Sequence, residues 1–90
     1  MPRKRDLIVS NLTAKGFEKS EGDHIFLLYR RSDGLKTAIR TKLSRGSSHR
    51  DVSDIILSQM AKQVRLPNKA FLQLVDCTLD QTGYEAIVQP

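Results

Sequence analysis

The sequence predicts an α+β domain in which a helix, three antiparallel strands and a second helix follow one another, with a helical extension after them. Three features predict this class. Apolar residues at helical spacing stop at Gly16. An Asp33-Gly34 pair, typical of hairpin turns, separates two strand-like runs. In residues 36–43, threonine and aliphatic side chains then alternate with mostly basic ones, which indicates a strand with one covered face. Ninety residues suffice for one small domain.

The first elements follow from spacing and turn residues. Residues 4–15 carry Leu7, Ile8 and Leu12 on one helical face, and Gly16 is predicted to end this helix in the left-handed conformation. Residues 17–19 are predicted to form a short strand, and residues 20–23 a turn.

The second and third strands are predicted at residues 25–30 and 36–43, joined by the turn at residues 32–34. In the third strand the positions expected on the covered face are Thr37, Ile39, Thr41 and Leu43. The positions expected on the wet, basic face are Lys36, Ala38, Arg40 and Lys42.

A polar connection leads to the second helix, for which Ser48 is the predicted N-cap and Gln63 the approximate end. Its expected buried stripe consists of Val52, Ile55, Ile56, Met60 and Val64. Pro67 interrupts the chain, and two short helices are predicted near residues 69–76 and 80–88. We therefore divide the chain into a domain at residues 1–66 and a helical C-terminal extension at residues 67–90, packed on the same domain.

The predicted order, with a three-stranded antiparallel sheet and helices on one of its faces, is also the element order of the double-stranded-RNA-binding domain. The charge is consistent with a polyanionic partner. Residues 1–66 hold 14 of the 15 Lys and Arg residues and 7 of the 10 acidic residues, a net charge of +7, whereas residues 67–90 carry −2. A basic surface that is only solvated would have the same composition.

Other features of the sequence indicate the cellular compartment in which the protein is expected. No apolar run approaches the roughly 18–20 residues that cross a membrane, and the N-terminal residues do not match a signal peptide. Cys77 is the only cysteine, so we expect no disulfide within the chain and a reducing cytoplasm as the setting. Cys77 itself is predicted to be a small buried hydrophobic residue.

Several chemistries lack their residues in this chain. Two histidines and one cysteine at unrelated spacings do not form a zinc site, and neither a Walker loop nor a glycine-rich dinucleotide turn is present. RNA cleavage needs less, because RNA supplies its own nucleophile, the 2′-hydroxyl. One imidazole can transfer the proton, and Lys and Arg can stabilise the charge on phosphate without a metal or cofactor. His24, at the start of a strand, is the candidate, although most strand-end histidines are only polar edge residues.

A resemblance strengthens that candidate. The stretch LIVSNLTAKGFEKSEGDHIFLLYRRSDGLKTAIRTKLSRG, followed by an amphipathic helix, resembles the HicA toxins of bacterial and archaeal toxin–antitoxin systems over about residues 4–66. The shared pattern is a first helix that ends in Lys-Gly-Phe, the strand start Gly22-Asp23-His24, and the strand KTAIRTK. The resemblance implies a double-stranded-RNA-binding-like fold, mRNA interferase activity, and inhibition by a HicB antitoxin that covers the site.

Carried over by position, the resemblance makes His24 the catalytic residue and Gly22 the residue that shapes the turn presenting it. Many members have Ser where this chain has Asp23, so Asp23 either orients the imidazole or places a negative charge beside the phosphate site. The cations expected to bind RNA phosphates are Lys36, Arg40, Lys42 and Arg45. Two other functions fit the same sequence, namely a non-catalytic RNA-binding module and a protein-interaction domain that uses the C-terminal extension.

Overall fold

The computed structural model describes residues 3–44 and 51–89 and confirms the α+β class with a three-stranded antiparallel sheet. The strands of this part of the chain are β1 (Arg3–Lys4), β2 (Phe17–Glu21), β3 (His24–Arg30), β4 (Lys36–Ser44) and β5 (Asp51–Val52). The helices are α1 (Arg5–Thr13), α2 (Asp54–Gln63), α3 (Asn68–Val75) and α4 (Gln81–Val88).

The sheet is a meander in the order β2-β3-β4, with β3 in the centre. Phe17 lies opposite Tyr29, and Ile25 lies opposite Leu43. The register of β3 with β4 shifts between Leu28 and Arg30, so that three residues of β4 stand opposite Tyr29. The hairpin turn contains Gly34 at φ +89°, as the Asp-Gly pair predicted.

The predicted alternation of β4 is confirmed. Ile39, Thr41 and Leu43 are buried, whereas Lys36, Arg40 and Lys42 are exposed. Successive side chains of a strand point to opposite faces, so the sheet has one face covered by the helices and one open face. Helices α1 and α2 contact the sheet, and α3 packs on both of these helices.

Gly16 ends the first helical segment with φ +99°, as predicted. Its carbonyl oxygen accepts a hydrogen bond of 2.9 Å from the backbone N–H of Arg30, which ties the start of β2 to the end of β3. A Cβ atom at this position would lie 2.5 Å from Nε2 of Gln81 and 3.0 Å from the Arg30 carbonyl oxygen. Glycine is therefore required here both by conformation and by space.

The start of α2 differs from the prediction. Asp51 and Val52 form β5, which pairs with β1, and the helix begins only at Asp54. The N-cap is Ser53, whose hydroxyl accepts from the backbone N–H of Ile56, while the predicted cap Ser48 lies outside the described residues.

This later start corrects the predicted buried stripe of α2. Ile55 is 72% exposed and Ile56 is also exposed, so both were wrongly placed in the core. The side chains that α2 buries are those of Leu57, Met60 and Ala61, followed by Val64 just beyond the helix.

The two helices of the C-terminal segment contribute side chains to the same core as the sheet. Phe71, Leu74 and Val75 of α3 are buried as predicted. Tyr84 of α4 is fully buried between Phe17 and Tyr29, with ring centroids 5.7 and 4.8 Å away, and the Phe17 and Tyr29 rings lie 5.0 Å apart. Its hydroxyl donates to the carbonyl of Val64 at 2.9 Å, so the one polar atom of the ring is satisfied.

A polar cluster fixes α4 to the end of β3. The Tyr29 hydroxyl donates to the Glu85 carboxylate, which also accepts from the backbone N–H of Ser32 at 2.8 Å. The hydrogen bond from Tyr29, followed by the bond from Ser32, holds the pKa of Glu85 below its ordinary value. Burial, together with the Glu85 hydrogen bond, raises the pKa of Tyr29.

The N-terminal residues are anchored across the molecule. Arg3 makes two hydrogen bonds of 2.8 Å to the carboxylate of Asp76, at the C-terminal end of α3. This bidentate pair lowers the pKa of Asp76 and raises that of Arg3. No helix in the described residues combines the length and apolar character needed to cross a bilayer.

Candidate functional site

The open face of the sheet carries three rows of side chains. The central strand β3 contributes His24, Phe26 and Leu28 at alternate positions. By register, Lys42 lies opposite Phe26 and Arg40 lies opposite Leu28 on one flank. Ser20 and Glu18 occupy the matching positions on β2. The face therefore has an aromatic and apolar centre with a basic flank on β4.

His24 occupies the first position of β3, directly after the turn at Gly22 and Asp23. The backbone N–H of Gly22 donates to the His24 carbonyl oxygen at 3.1 Å, which closes this turn. The imidazole is half-buried, and its centroid lies 6.3 Å from that of the Phe26 ring. Sequence reasoning placed the histidine at the strand start, and this position agrees.

The environment of the imidazole is unusual in one respect. Among the described side chains, Nδ1 of His24 is the one buried nitrogen or oxygen without a hydrogen-bond partner. Leaving a buried polar atom unpaired costs about 1–3 kcal/mol, and such an atom in a folded protein calls for an explanation. A site that works on a polar ligand is one such explanation.

The two residues before His24, Gly22 and Asp23, form an exposed bend. Gly22 does not have a positive φ, and a Cβ atom there would meet only Cε2 of Phe26, at 4.0 Å. The turn therefore does not depend on the absence of a side chain. Asp23 is exposed, and within the described residues its carboxylate does not hydrogen-bond to Nδ1 of His24.

The predicted phosphate-binding cations lie at different distances from His24. Lys42 is a diagonal neighbour of His24 across the β3–β4 ladder, a relation that brings Cα atoms to about 7–8 Å, and Arg40 follows two residues along the strand. Lys36 lies opposite Arg30, at the other end of β3, about 20 Å from His24. Arg45 lies outside the described residues.

These cations are available for a ligand. Arg40 and Lys42 are exposed and form no ion pair with any other described residue. Arg30 differs, because its guanidinium pairs with the carboxylate of Glu18 across the ladder. The basic flank near His24 is therefore β4, and the β2 flank is neutralised.

A depression adjoins the basic flank, at the free edge of β4. It is lined by Phe26, Arg40, Thr41, Lys42 and Gln63. The Thr41 hydroxyl donates to Oε1 of Gln63 at 2.5 Å, which connects the edge of the sheet to the end of α2. The sequence did not point to Phe26, Thr41 or Gln63 as site residues. Of the three, Phe26 alone has a signal in the sequence, because strand alternation places it beside Lys42.

Cys77 lies elsewhere, after the end of α3, and it is exposed rather than buried as predicted. Lys15, itself only 8% exposed, directs its ammonium nitrogen to within 3.0 Å of the Cys77 sulfur and 3.2 Å of the Asn11 carbonyl oxygen. In the described residues, no three His, Cys, Asp or Glu side chains come together in a group that could hold a metal ion.

Comparison of the chain with protein-family models, with curated proteins and with solved structures finds no significant match in any of the three.

Proposed function

We propose that this protein is a HicA-like endoribonuclease with a double-stranded-RNA-binding-like fold, acting on mRNA in the cytoplasm and inhibited by a HicB-like protein. The observation that carries the proposal is the placement of His24 on the open face, near Arg40 and Lys42 of the neighbouring strand. Within residues 3–44 and 51–89, Nδ1 of His24 is buried without a hydrogen-bond partner, and neither cation forms an ion pair. The order of helix, three strands and helix that the resemblance implies also supports it.

In the proposed reaction, the 2′-hydroxyl of one nucleotide gives up its proton and forms a bond to the adjacent phosphorus. The bond from phosphorus to the 5′-oxygen of the next nucleotide breaks, and that oxygen takes up a proton. The products are a 2′,3′-cyclic phosphate and a free 5′-hydroxyl. His24 carries one of these proton transfers, as general base or general acid, because an imidazole has one nitrogen that accepts a proton and one that donates it.

Arg40 and Lys42 are assigned to the charge that develops on the phosphorane oxygens. Their exposure and their lack of carboxylate partners among the described residues support this role. Lys36 is assigned to a more distant phosphate of the same strand, because it lies at the far end of β3. Asp23 has no assigned role in orienting the imidazole, since it does not bond to Nδ1.

The decisive experiment is cleavage of an end-labelled RNA by the wild type and by His24→Ala. We expect His24→Ala to lose cleavage by about 10²–10⁴-fold, the range of general acid–base catalysis. Asp23→Asn is the matched control in the same turn, and we expect it to keep cleavage. Thermal denaturation of all three proteins shows whether the variants are folded. Undiminished cleavage by a folded His24→Ala would remove His24 from the reaction.

The same experiment separates the two competing functions. Salt-sensitive RNA binding by the wild type without cleavage would identify a non-catalytic RNA-binding module. A purified protein that ignores RNA altogether would favour an interaction domain. Burial of Tyr84 and of the apolar face of α3 argues against this last function, because these side chains lie inside the core rather than on a docking surface.

A further inference from the structure

The depression at the edge of β4 combines three kinds of group that a nucleotide requires. Phe26 provides an aromatic ring, and Arg40 and Lys42 provide two cations that have no carboxylate partner among the described residues. Gln63 provides an amide at the end of α2. The group is assembled from two strands and a helix, and the register holds Phe26 and Lys42 directly opposite each other.

Phe26 stands out among the aromatic residues of the described chain. Phe17, Tyr29, Phe71 and Tyr84 are buried in the core. The Phe26 ring is only half-buried, on the face that the helices do not cover. Aromatic rings on an open sheet are the platform on which proteins stack unpaired bases, and stacking tolerates any base because each has a π-face.

The hydrogen bond from Thr41 gives the depression a second element of recognition. It occupies Oε1 of Gln63 and so fixes the orientation of the amide. The two N–H donors of Gln63 are not engaged by the other described residues, and they can meet acceptors on the edge of a base. Thr41 is buried, so the pair is positioned by the core rather than by solvent.

We infer that this depression is a nucleotide-binding pocket for single-stranded RNA, in which a base stacks on Phe26 and faces Gln63 while Arg40 and Lys42 hold the flanking phosphates. The inference rests on the proposed function, because it places the RNA beside His24, whose ring lies 6.3 Å from that of Phe26. It adds the substrate's form: the bound base is unpaired, because a base stacked inside a duplex cannot place its face on Phe26.

The test measures binding separately from cleavage. The probe is a fluorescein-labelled, 2′-O-methyl RNA of about ten nucleotides and randomised sequence, which lacks the nucleophile and so cannot be cut by the proposed reaction. In fluorescence anisotropy at low salt, we expect Phe26→Leu to weaken binding by about 5- to 150-fold, the range of one base–aromatic stack. Leu28→Ala, on the same face but outside the depression, is the matched control and is expected to bind within about twofold of wild type.

Separate substitutions test the contributions of the two cations and of the Gln63 amide to binding. Arg40→Gln and Lys42→Gln are each expected to lower the slope of log K against log salt by about 0.7, the contribution of one single-strand phosphate. Gln63→Ala is expected to weaken binding while leaving this slope unchanged, since it removes no charge. A blunt RNA duplex is expected not to displace the probe.

The absence of tryptophan from the sequence provides an independent optical test. Phe26→Trp introduces a single indole that keeps a stacking surface, so we expect near-wild-type affinity and quenching of its fluorescence when the probe binds. Leu28→Trp is expected to show little quenching. This measurement tests the pocket even if Phe26→Leu does not fold.

Each outcome bears on one claim. Equal binding by Phe26→Leu and wild type, or an unquenched Phe26→Trp, would overturn the pocket, and histidine-dependent cleavage would still support the ribonuclease. Phe26-dependent binding without any cleavage would remove the ribonuclease and keep the pocket. A wild-type protein that does not bind the probe at low salt would overturn the pocket as well.

Discussion

The two faces of the β2-β3-β4 sheet are built from the same strands and have opposite characters. The covered face is apolar, with Leu27 and Tyr29 at its centre, and is closed by α1, α2 and the Tyr84 ring of α4. The open face carries His24, Phe26 and Leu28 beside Arg40 and Lys42, which pair with no carboxylate in the part of the chain that the structure describes. The difference teaches that period-two alternation gives one strand two faces of opposite polarity, because successive side chains point to opposite sides of the sheet.

The sharpest test of this difference uses two adjacent leucines of β3. Leu27 is 0% exposed on the covered face, whereas Leu28 is 38% exposed on the open face. We expect Leu27→Ala to lower the free energy of unfolding by about 2–5 kcal/mol, because it leaves a cavity in the core. Leu28→Ala is expected to cost less than about 1 kcal/mol. Urea denaturation measures both, and equal losses would break the comparison.

A smaller effect is expected at the two glycines that flank β2. Gly16 has φ +99° and no room for a Cβ atom, so Gly16→Ala is expected to destabilise the protein by about 1–3 kcal/mol. Gly22 has an ordinary φ and free space, so Gly22→Ala is expected to range from no change to a gain of about 1 kcal/mol. Thermal denaturation would contradict this contrast if Gly22→Ala proved the more harmful substitution.

The smallest effect concerns how α4 is held on the covered side. The native pKa of Glu85 is lowered, so the unfolded chain binds the proton more readily than the native state in the acid range. The Glu85 contribution is therefore complete above the ordinary carboxyl pKa of about 4.3 and is lost as the pH falls through the lowered native pKa.

Comparison of wild type with Glu85→Gln measures that contribution. We expect the wild type to be more stable near neutral pH and the difference in melting temperature to shrink as the pH falls through the acid range. Asp76 also has a lowered pKa, but it is present in both proteins and cancels from the difference. A difference that grows toward low pH would show that the carboxylate does not stabilise the fold.

Local pattern predicted the sheet well, because each of its signals lies within a few residues. The alternation of β4 and the turn residues Gly16 and Gly34 require no knowledge of distant parts of the chain. The beginning of α2 could not be found in this way. Asp51 and Val52 leave the helical pattern to pair with β1, far earlier in the sequence, and a two-residue strand has no periodicity of its own.

The candidate site was predictable only in part, for the same reason. His24 follows a glycine turn and opens an apolar run, so its position at a strand start is visible in the sequence. The pairing of Gln63 with Thr41 depends on how α2 crosses the edge of β4, and no spacing along the chain encodes that contact. The prediction that Cys77 is buried is wrong, because its exposure depends on where α3 ends.

The aromatic cluster has a consequence for the order in which the chain is made. Phe17 and Tyr29 are synthesised well before the ring that packs against both, which belongs to Tyr84, fifty-five residues after Tyr29. Until the ribosome has released α4, two large rings of the sheet lack their cover and the nascent protein exposes apolar surface. The covered face of the sheet therefore closes only after α4 has left the ribosome, well after β2 and β3 have been made.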